Sequence, residues 1–318
     1  MELRALGRGG PEISVVGWGG WQAGERNWGA VPPTAQAIDA IRAGLDAGMT
    51  WVDTAEVYGD GTSERTVGRA IEGIRDRALV FTKVAPDDEG TGIRPEEIRR
   101  AIDASLQRLG LDHVDLYQVH WPDRDVPVEE TWGAMAELVT AGKTRWIGVS
   151  NFDRELIERC QPIHPVASVQ NEFSLIHQDD RTELLPWLAE QGIGYLAYSP
   201  LGSGLLTGHA RADHRYADDD WRSGRGEHAA ERDETQEWPF DPEPLARTVA
   251  AMERVAALAE PLGLTPAQMA LRWAVEQTGV TAAIAGSLSP AHTVTNAGAG
   301  SERLDEATLA ELDAIFVA

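Results

Sequence analysis

Cysteine is nearly missing from this chain: Cys160 is the single one in 318 residues. A lone thiol excludes an intrachain disulfide and a multi-thiolate metal site, and it suits a reducing compartment. Long apolar runs are missing as well, since no stretch approaches the roughly eighteen residues that mark a membrane-spanning helix. The opening segment, MELRALGRGGPEISVVGWGG, lacks the charged, apolar and cleavage regions of a secretory signal, so a soluble cytoplasmic protein is expected. Positive charge is also scarce, with 28 Lys and Arg against 51 Asp and Glu and a net charge of -23. Such a field repels nucleic-acid phosphates and anionic membranes, which leaves a small molecule as the expected ligand and neither nucleic acid nor membrane as a partner. Lysine occurs only at positions 83 and 143, and that scarcity makes Lys83 conspicuous.

What is present is an average globular composition, 42% apolar and 25% charged, enough for a sizeable core. The length allows either two domains or one α/β barrel. Short β-rich runs alternate with segments whose apolar residues recur at helical spacing, which is the α/β signature. Eight strands are expected at 15–18, 51–54, 79–83, 114–119, 146–149, 168–171, 194–198 and 282–285. Between them lie striped helices carrying Ile38, Ile41 and Leu45, then Ile98, Ile102, Leu106 and Leu109, then Val128, Trp132, Met135 and Val139, then Leu184, Leu185 and Leu188. Thr265 with Pro266 and Gln268 has the capping-box pattern, and Ser289-Pro290 offers a second serine cap. Residues 2–6 and 12–16 around Gly9-Gly10-Pro11 read as a hairpin that could plug one end of a barrel. No linker or composition shift divides the chain, so residues 1–318 are expected to form one (β/α)8 TIM-barrel domain.

Residues 206–243 are too long and polar for an ordinary loop. With Trp221, Trp238 and glycines at 224 and 226, the segment reads as a lid over a ligand, against the plainer alternative of a solvated acidic loop. Gly192-Ile193-Gly194 followed by Ala197 spells a dinucleotide fingerprint but runs from helix to strand, the reverse of the order that places phosphate on a helix N-terminus. A Walker loop, a zincin helix and a nucleophile elbow are all absent.

In a barrel of parallel strands, chemistry sits at the carboxyl ends. Asp53 ends the second strand, Tyr58 follows it, Lys83 ends the third and His120 ends the fourth. Each alone reads more readily as a turn, packing or structural residue. Together they form a proton-handling set, because a phenol with a reference pKa of about 10 becomes a useful acid near neutrality only beside a positive charge. Lys83 supplies that charge, Asp53 holds the ammonium, and His120 can donate to a substrate oxygen that also faces Tyr58.

At these residues the sequence resembles the aldo-keto reductase family. The matching segments are Gly17-Trp18-Gly19-Gly20, the run from Asp53 to Gly59, Phe81-Thr82-Lys83, Asp115 to His120, Gly148 to Phe152, Gln170-Asn171-Glu172 and Tyr198-Ser199-Pro200-Leu201. The resemblance implies hydride transfer between a nicotinamide cofactor and a carbonyl carbon, with Tyr58 as acid, Lys83 and Asp53 tuning it, and His120 orienting the carbonyl. It further implies that Ser150, Asn151 and Gln170 hold the carboxamide and that Tyr198 stacks on the nicotinamide ring. Ser199, Leu201, Ser203 and Leu205 then cover the pyrophosphate, while Gly286, Ser287, Leu288, His292 and Asn296 receive the adenosine phosphate and adenine. Leu288 and His292, and His209 after Leu205-Leu206-Thr207-Gly208, stand where NADPH-preferring relatives often carry lysine or arginine. NADP(H) is the expected cofactor and NAD(H) the alternative. A 2'-phosphate then needs cations from elsewhere, for which Arg211, Arg215, Arg222 and Arg225 of the lid are candidates.

Trp21, Trp28 and Trp121 are expected to wall an apolar substrate pocket, with small aldehydes, ketones or sugar-like compounds as substrates and no metal. Two other functions fit parts of the pattern. One is a low-turnover redox-sensing or binding subunit resembling the potassium-channel β subunits, disfavoured because the first strand begins almost at once, with no basic extension before it. The other is a metal-dependent barrel enzyme using Asp53, Glu56, His120 and Lys83. Oligomeric state is left open.

Overall fold

The computed structural model describes residues 1–24, 28, 34–86, 93–225 and 237–316. Two short antiparallel strands, β1 (Leu3–Ala5) and β2 (Glu12–Ser14), precede eight parallel ones. These are β3 (Val16–Gly19), β4 (Trp51–Asp53), β5 (Leu79–Val84), β6 (Val114–Val119), β7 (Thr144–Ser150), β8 (Ser168–Glu172), β9 (Gly194–Tyr198) and β10 (Ala282–Gly286). They close into a barrel in chain order, β10 pairing with both β3 and β9. The (β/α)8 expectation holds, and each expected strand lies within two residues of its observed place.

The helices are α1 (Trp21–Gly24), α2 (Thr34–Asp46), α3 (Thr62–Ile71), α4 (Pro95–Leu109), α5 (Val128–Thr140), α6 (Arg154–Cys160), α7 (Leu184–Gln191), α8 (Pro242–Ala259), α9 (Pro266–Glu276), α10 (Pro290–Gly298) and α11 (Glu306–Phe316). Their apolar stripes, such as Ile98, Ile102, Leu106 and Leu109 on α4, are buried against the outward faces of the strands. Thr265 and Gln268 complete the capping box of α9, and Ser289 caps α10 by accepting from the His292 amide. No described helix is long and apolar enough to cross a membrane.

Alternation along each strand sends every second side chain into the barrel. The lower interior layer is apolar, with Trp51, Phe81, Leu116, Leu196, Ala282 and Ile284. Leu6 and Ile13 of the hairpin close that end, as the sequence suggests. The Trp51 and Phe81 rings stack at 5.0 Å. Trp51 fits because its neighbour on β3 is Gly17, where a Cβ would lie 2.2 Å from the indole. Gly17→Ala is therefore expected to cost about 1–3 kcal/mol of stability through overpacking. Gly133→Ala, in α5 with nothing within 4 Å of the added carbon, should instead stabilise by roughly 0.5–1 kcal/mol. Thermal melting of the two variants checks this, and equal melting points would contradict it.

Candidate active site

The next inward positions above that apolar floor are polar. Two residues beyond Trp51 comes Asp53, two beyond Phe81 comes Lys83, two beyond Leu116 comes Gln118 with His120 after it, and two beyond Ser168 comes Gln170. Register brings them together, since Lys83 lies opposite Gln118 and Ser150 opposite Gln170. Lys83 is wholly buried and donates from Nζ to Asp53 Oδ1 at 2.5 Å, to the Thr54 carbonyl at 3.0 Å and to Tyr58 Oη at 3.5 Å. Asp53 Oδ2 accepts from Gln170 Nε2 at 2.9 Å and from Gln118 Nε2 at 3.4 Å. Burial pulls the Lys83 ammonium below the ordinary lysine range, and the Asp53 carboxylate opposes that pull.

His120 sits beside them, its ring edge-on to Tyr58 at 5.6 Å and stacked on Trp121 at 3.7 Å. Burial, and then the nearby charge of Lys83, hold its pKa well below the usual imidazole value. The ring is neutral near pH 7 and carries one N–H. Its Nδ1 is buried with no hydrogen-bond partner among the described residues, so no contact there fixes the tautomer, and the ring lines the cavity where its other nitrogen can carry the N–H.

Asp53, Tyr58, His120, Trp121, Ser150 and Gln170, but not Lys83, Gln118 or Thr54, line one cavity of about 950 Å³ at the carboxyl ends of the strands, a volume in the range of small-molecule sites. The cavity runs from Asp53, Tyr58, His120 and Trp121 past Ser150, Asn151, Gln170 and Tyr198. It continues along Ser199, Leu201 and Ser203 to Gly286, Ser287, Leu288, His292 and Asn296, and Trp21 and Trp28 also face it. Leu205 is the exception among the positions the resemblance implies; its side chain is buried in the core beneath the loop.

Tyr198 donates from Oη to Asn151 Oδ1 at 2.9 Å, and Asn151 Nδ2 donates to the His120 carbonyl at 2.9 Å. Ser150 Oγ donates to the Gln170 carbonyl at 2.6 Å. Asn151, Ser199 and Ser203 all have left-handed backbone, with φ of 60°, 50° and 52°. Three non-glycine residues held this way on one cavity wall store about 1 kcal/mol or more each, a cost that clusters where a ligand is gripped.

The described part of the segment after residue 206 packs against residues that line the cavity. Trp221 contacts Trp21 at 5.4 Å and Trp28 at 5.8 Å, and Trp28 bridges Asp220 in antiparallel fashion. Residues 226–236, including the second expected glycine hinge, lie outside the described part. Of the four lid arginines, Arg222 alone lines the cavity among the described residues. Its guanidinium is 4.8 Å from the Trp28 ring centre and 4.5 Å from that of Tyr216, and it is paired with Asp220 at 2.7 Å. Arg211 pairs with Asp213, Arg215 donates to the His214 carbonyl, and Arg225 reaches Asp218 at 3.4 Å and the Tyr216 carbonyl.

Glu56 does not line the cavity, and among the described residues no group of three or more His, Cys, Asp or Glu side chains is placed to hold a metal ion. The Glu56 carboxylate accepts from the Ala85 amide at 3.0 Å and lies 3.7 Å from Arg108, which also holds the buried Glu64. Burial pushes the Glu56 pKa up to about 6. The folded state thus binds this proton more tightly than the unfolded state, so stability falls as pH rises from the unfolded value of about 4.5 through 6. Glu56→Gln, which keeps the acceptor for Ala85, should stabilise by about 1–2 kcal/mol at pH 7 and by almost nothing at pH 4.5. Urea unfolding at both pH values reads the difference; an equal effect at both would contradict it.

A TIM barrel whose mouth gathers a tyrosine, a lysine, an aspartate and a histidine over one long cavity invites comparison with known enzymes. The sequence matches the profile of the Aldo/keto reductase family over residues 15–316. It is 34% identical over 297 residues to the aldo-keto reductase YhdN of Bacillus subtilis, covering 91% of this chain and 86% of that one. The glycerol dehydrogenase AKR11B4 from Gluconobacter oxydans superposes with a TM-score of 0.85 at 31% identity, over 98% of this chain and 94% of that one. An aldo/keto reductase from Klebsiella pneumoniae, solved with NADP and acetate, gives a TM-score of 0.77 at 30% identity over 99% and 96%. The chain belongs to the aldo-keto reductase family and is an oxidoreductase.

Gln118 was not among the residues singled out from sequence. The period-two step from Leu116 through Gln118 to His120 is the signal that finds it.

Proposed function

We propose that this chain reduces a small aldehyde, ketone or sugar-like carbonyl to the alcohol, or runs the reverse reaction, with NADP(H) as the expected dinucleotide and NAD(H) as the alternative. The observation that carries this reading is Lys83, wholly buried and in contact with Asp53 and Tyr58, which both line the cavity. The Klebsiella pneumoniae relatives, solved with NADP and with NADPH, support the choice of cofactor. The chain's own residues fit such a group, because the cavity is long, lined by amides and hydroxyls, and bounded by strained backbone at Asn151, Ser199 and Ser203. When bound, a nicotinamide dinucleotide supplies the hydride.

The protein's part is orientation and proton supply. Ser150, Asn151, Gln170 and Tyr198 hold the cofactor's reacting end, and Ser199, Leu201 and Ser203 its middle. Leu205 bears on that middle only through the loop above it. Gly286, Ser287, Leu288, His292 and Asn296 take the far end. His120 donates its N–H to the carbonyl oxygen, and Tyr58 passes its hydroxyl proton to that oxygen as negative charge develops there. Lys83 touches no substrate; its charge stabilises the tyrosinate left behind, and Asp53, held by Gln118 and Gln170, keeps the ammonium in place. Trp21, Trp28 and Trp121 exclude water and present an apolar wall to the substrate. Purified protein mixed with NADPH or NADH and a panel from DL-glyceraldehyde to small aromatic aldehydes should consume dinucleotide and yield the alcohol. Absence of turnover with every carbonyl, and with the alcohols in reverse, would overturn the reading.

A further inference from the structure

Behind the cavity wall, on the outward face of the barrel, lies a polar cluster that the reaction leaves unused. Gln170 of β8 points into the barrel, so Asn171 points out of it, and Tyr195 of β9, next to the inward Leu196, does the same. Both side chains donate to one oxygen of Asp180, Asn171 from Nδ2 at 2.9 Å and Tyr195 from Oη at 2.8 Å. Asp180 stands on the short turn Asp179–Arg181 between β8 and α7. That turn is fixed by Arg181, which pairs with Asp313 of α11 at 2.7 Å and lies 5.3 Å from the ring centre of Trp273. Tyr195 is buried, and burial followed by the Asp180 charge pushes its pKa well above the usual phenol value, so its hydroxyl stays protonated and donates. None of Asn171, Asp180 and Tyr195 lines the cavity.

A carboxylate only accepts hydrogen bonds, and this decides which way round the Asn171 amide sits. With its nitrogen on Asp180 and on the Phe152 carbonyl at 3.3 Å, its oxygen faces the backbone N–H of Asn151 at 2.8 Å. The reversed amide would set oxygen against oxygen at Asp180 and N–H against N–H at Asn151. Asn151 needs such a partner, because its backbone is left-handed, with φ of 60°, a conformation that a non-glycine residue keeps only where its surroundings enforce it. The other acceptor for that N–H, the Gln170 carbonyl, is farther away at 3.2 Å. From Asn151 the contacts reach the cavity wall twice, since Oδ1 accepts from Tyr198 Oη and Nδ2 donates to the His120 carbonyl.

We propose that Asp180 is a positioning residue for dinucleotide binding: by orienting Asn171 it holds Asn151, and with it Tyr198, in the geometry that grips the reacting end of the cofactor. The inference rests on the dinucleotide reading above. Asp180 touches neither cofactor nor substrate, and what it contributes is an acceptor oxygen at a fixed place. Its charge is secondary, because both of its partners are neutral donors.

Dissociation constants for NADPH and NADH, read from quenching of tryptophan fluorescence, together with the melting temperature of the protein without dinucleotide, test this without any turnover. Asp180→Ala is expected to weaken both dinucleotides by roughly five- to tenfold, the worth of one hydrogen bond, and by the same factor because the two differ only at the far end. Asp180→Asn, which drops the charge but keeps a carbonyl oxygen for Asn171 and Tyr195, should stay within about twofold of wild type. Asn171→Ala should match Asp180→Ala, and the double variant should be no weaker than either single one, because both changes break the same chain of contacts. Tyr195→Phe, which disturbs the same packing but spares Asn171, should leave both affinities within about twofold. Intact affinities in Asp180→Ala with only a lower melting temperature would overturn the inference, as would Asp180→Asn or Tyr195→Phe binding as weakly as Asp180→Ala, or additive losses at Asp180 and Asn171. Should Asp180→Ala not fold, Asn171→Ala decides, and wild-type affinity in that variant overturns the inference. In each of these cases binding by the wild type leaves the dinucleotide reading standing, whereas a wild type that binds neither NADPH nor NADH ends that reading and this inference together.

Discussion

Tyr58→Phe is expected to lower carbonyl reduction by about 100- to 10,000-fold, the usual contribution of a positioned general acid. Dinucleotide affinity should change by less than about threefold, since removing one hydroxyl aimed at the substrate oxygen leaves the rest of the wall intact. The expectation follows from geometry, because Tyr58 lines the cavity and its hydroxyl accepts from Lys83. Steady-state turnover and fluorescence titration on one preparation separate the two effects. A variant keeping a tenth of wild-type turnover would show that Tyr58 is not the proton donor.

Lys83→Met should lose turnover by a comparable factor with Tyr58 still present, because a phenol without the adjacent charge is a poor acid near pH 7. It should also lose about 3–5 kcal/mol of stability, because the buried Asp53 carboxylate is left without its counterion. The two losses have different causes and can be parted. Pairing Lys83→Met with Asp53→Asn removes the orphaned charge, so the double variant should regain much of the stability and none of the turnover. Recovery of activity in the double variant would mean that Lys83 is structural only. The pH dependence of turnover per folded molecule adds a readout that packing alone would not move.

Much of this site was legible in the sequence because a barrel converts strand order into geometry. Asp53, Lys83 and His120 each lie at or beside the carboxyl end of a strand, and a parallel closed sheet brings all such ends to one mouth. Gln118 was harder to read, for a glutamine inside a strand carries no signal until one knows which parity faces inward. For Gln170 the resemblance implies a carboxamide contact, and the structure adds a partner the sequence did not signal, with its amide donating to Asp53. At Leu205 the resemblance implies a role over the pyrophosphate, but the loop turns its side chain into the core. The lid arginines show the same limit, since Arg222, which lines the cavity, stacks on Tyr216 of its own segment and on Trp28, a residue far away in sequence. Gly17 was visible as part of a glycine-rich strand, but its cause, the indole of Trp51 inside the barrel, was not.

The central claim is that this cavity carries hydride from a dinucleotide to a carbonyl carbon while Tyr58 supplies the proton. Reduction of a small aldehyde by NADPH deuterated at the transferable C4 position, followed by mass analysis and NMR of the alcohol, tests it most directly. The account predicts one deuterium on the carbinol carbon, a proton from solvent on its oxygen, and no labelled alcohol from Tyr58→Phe on the same timescale. Alcohol formed without deuterium at that carbon, or formed at an undiminished rate by the phenylalanine variant, would contradict it.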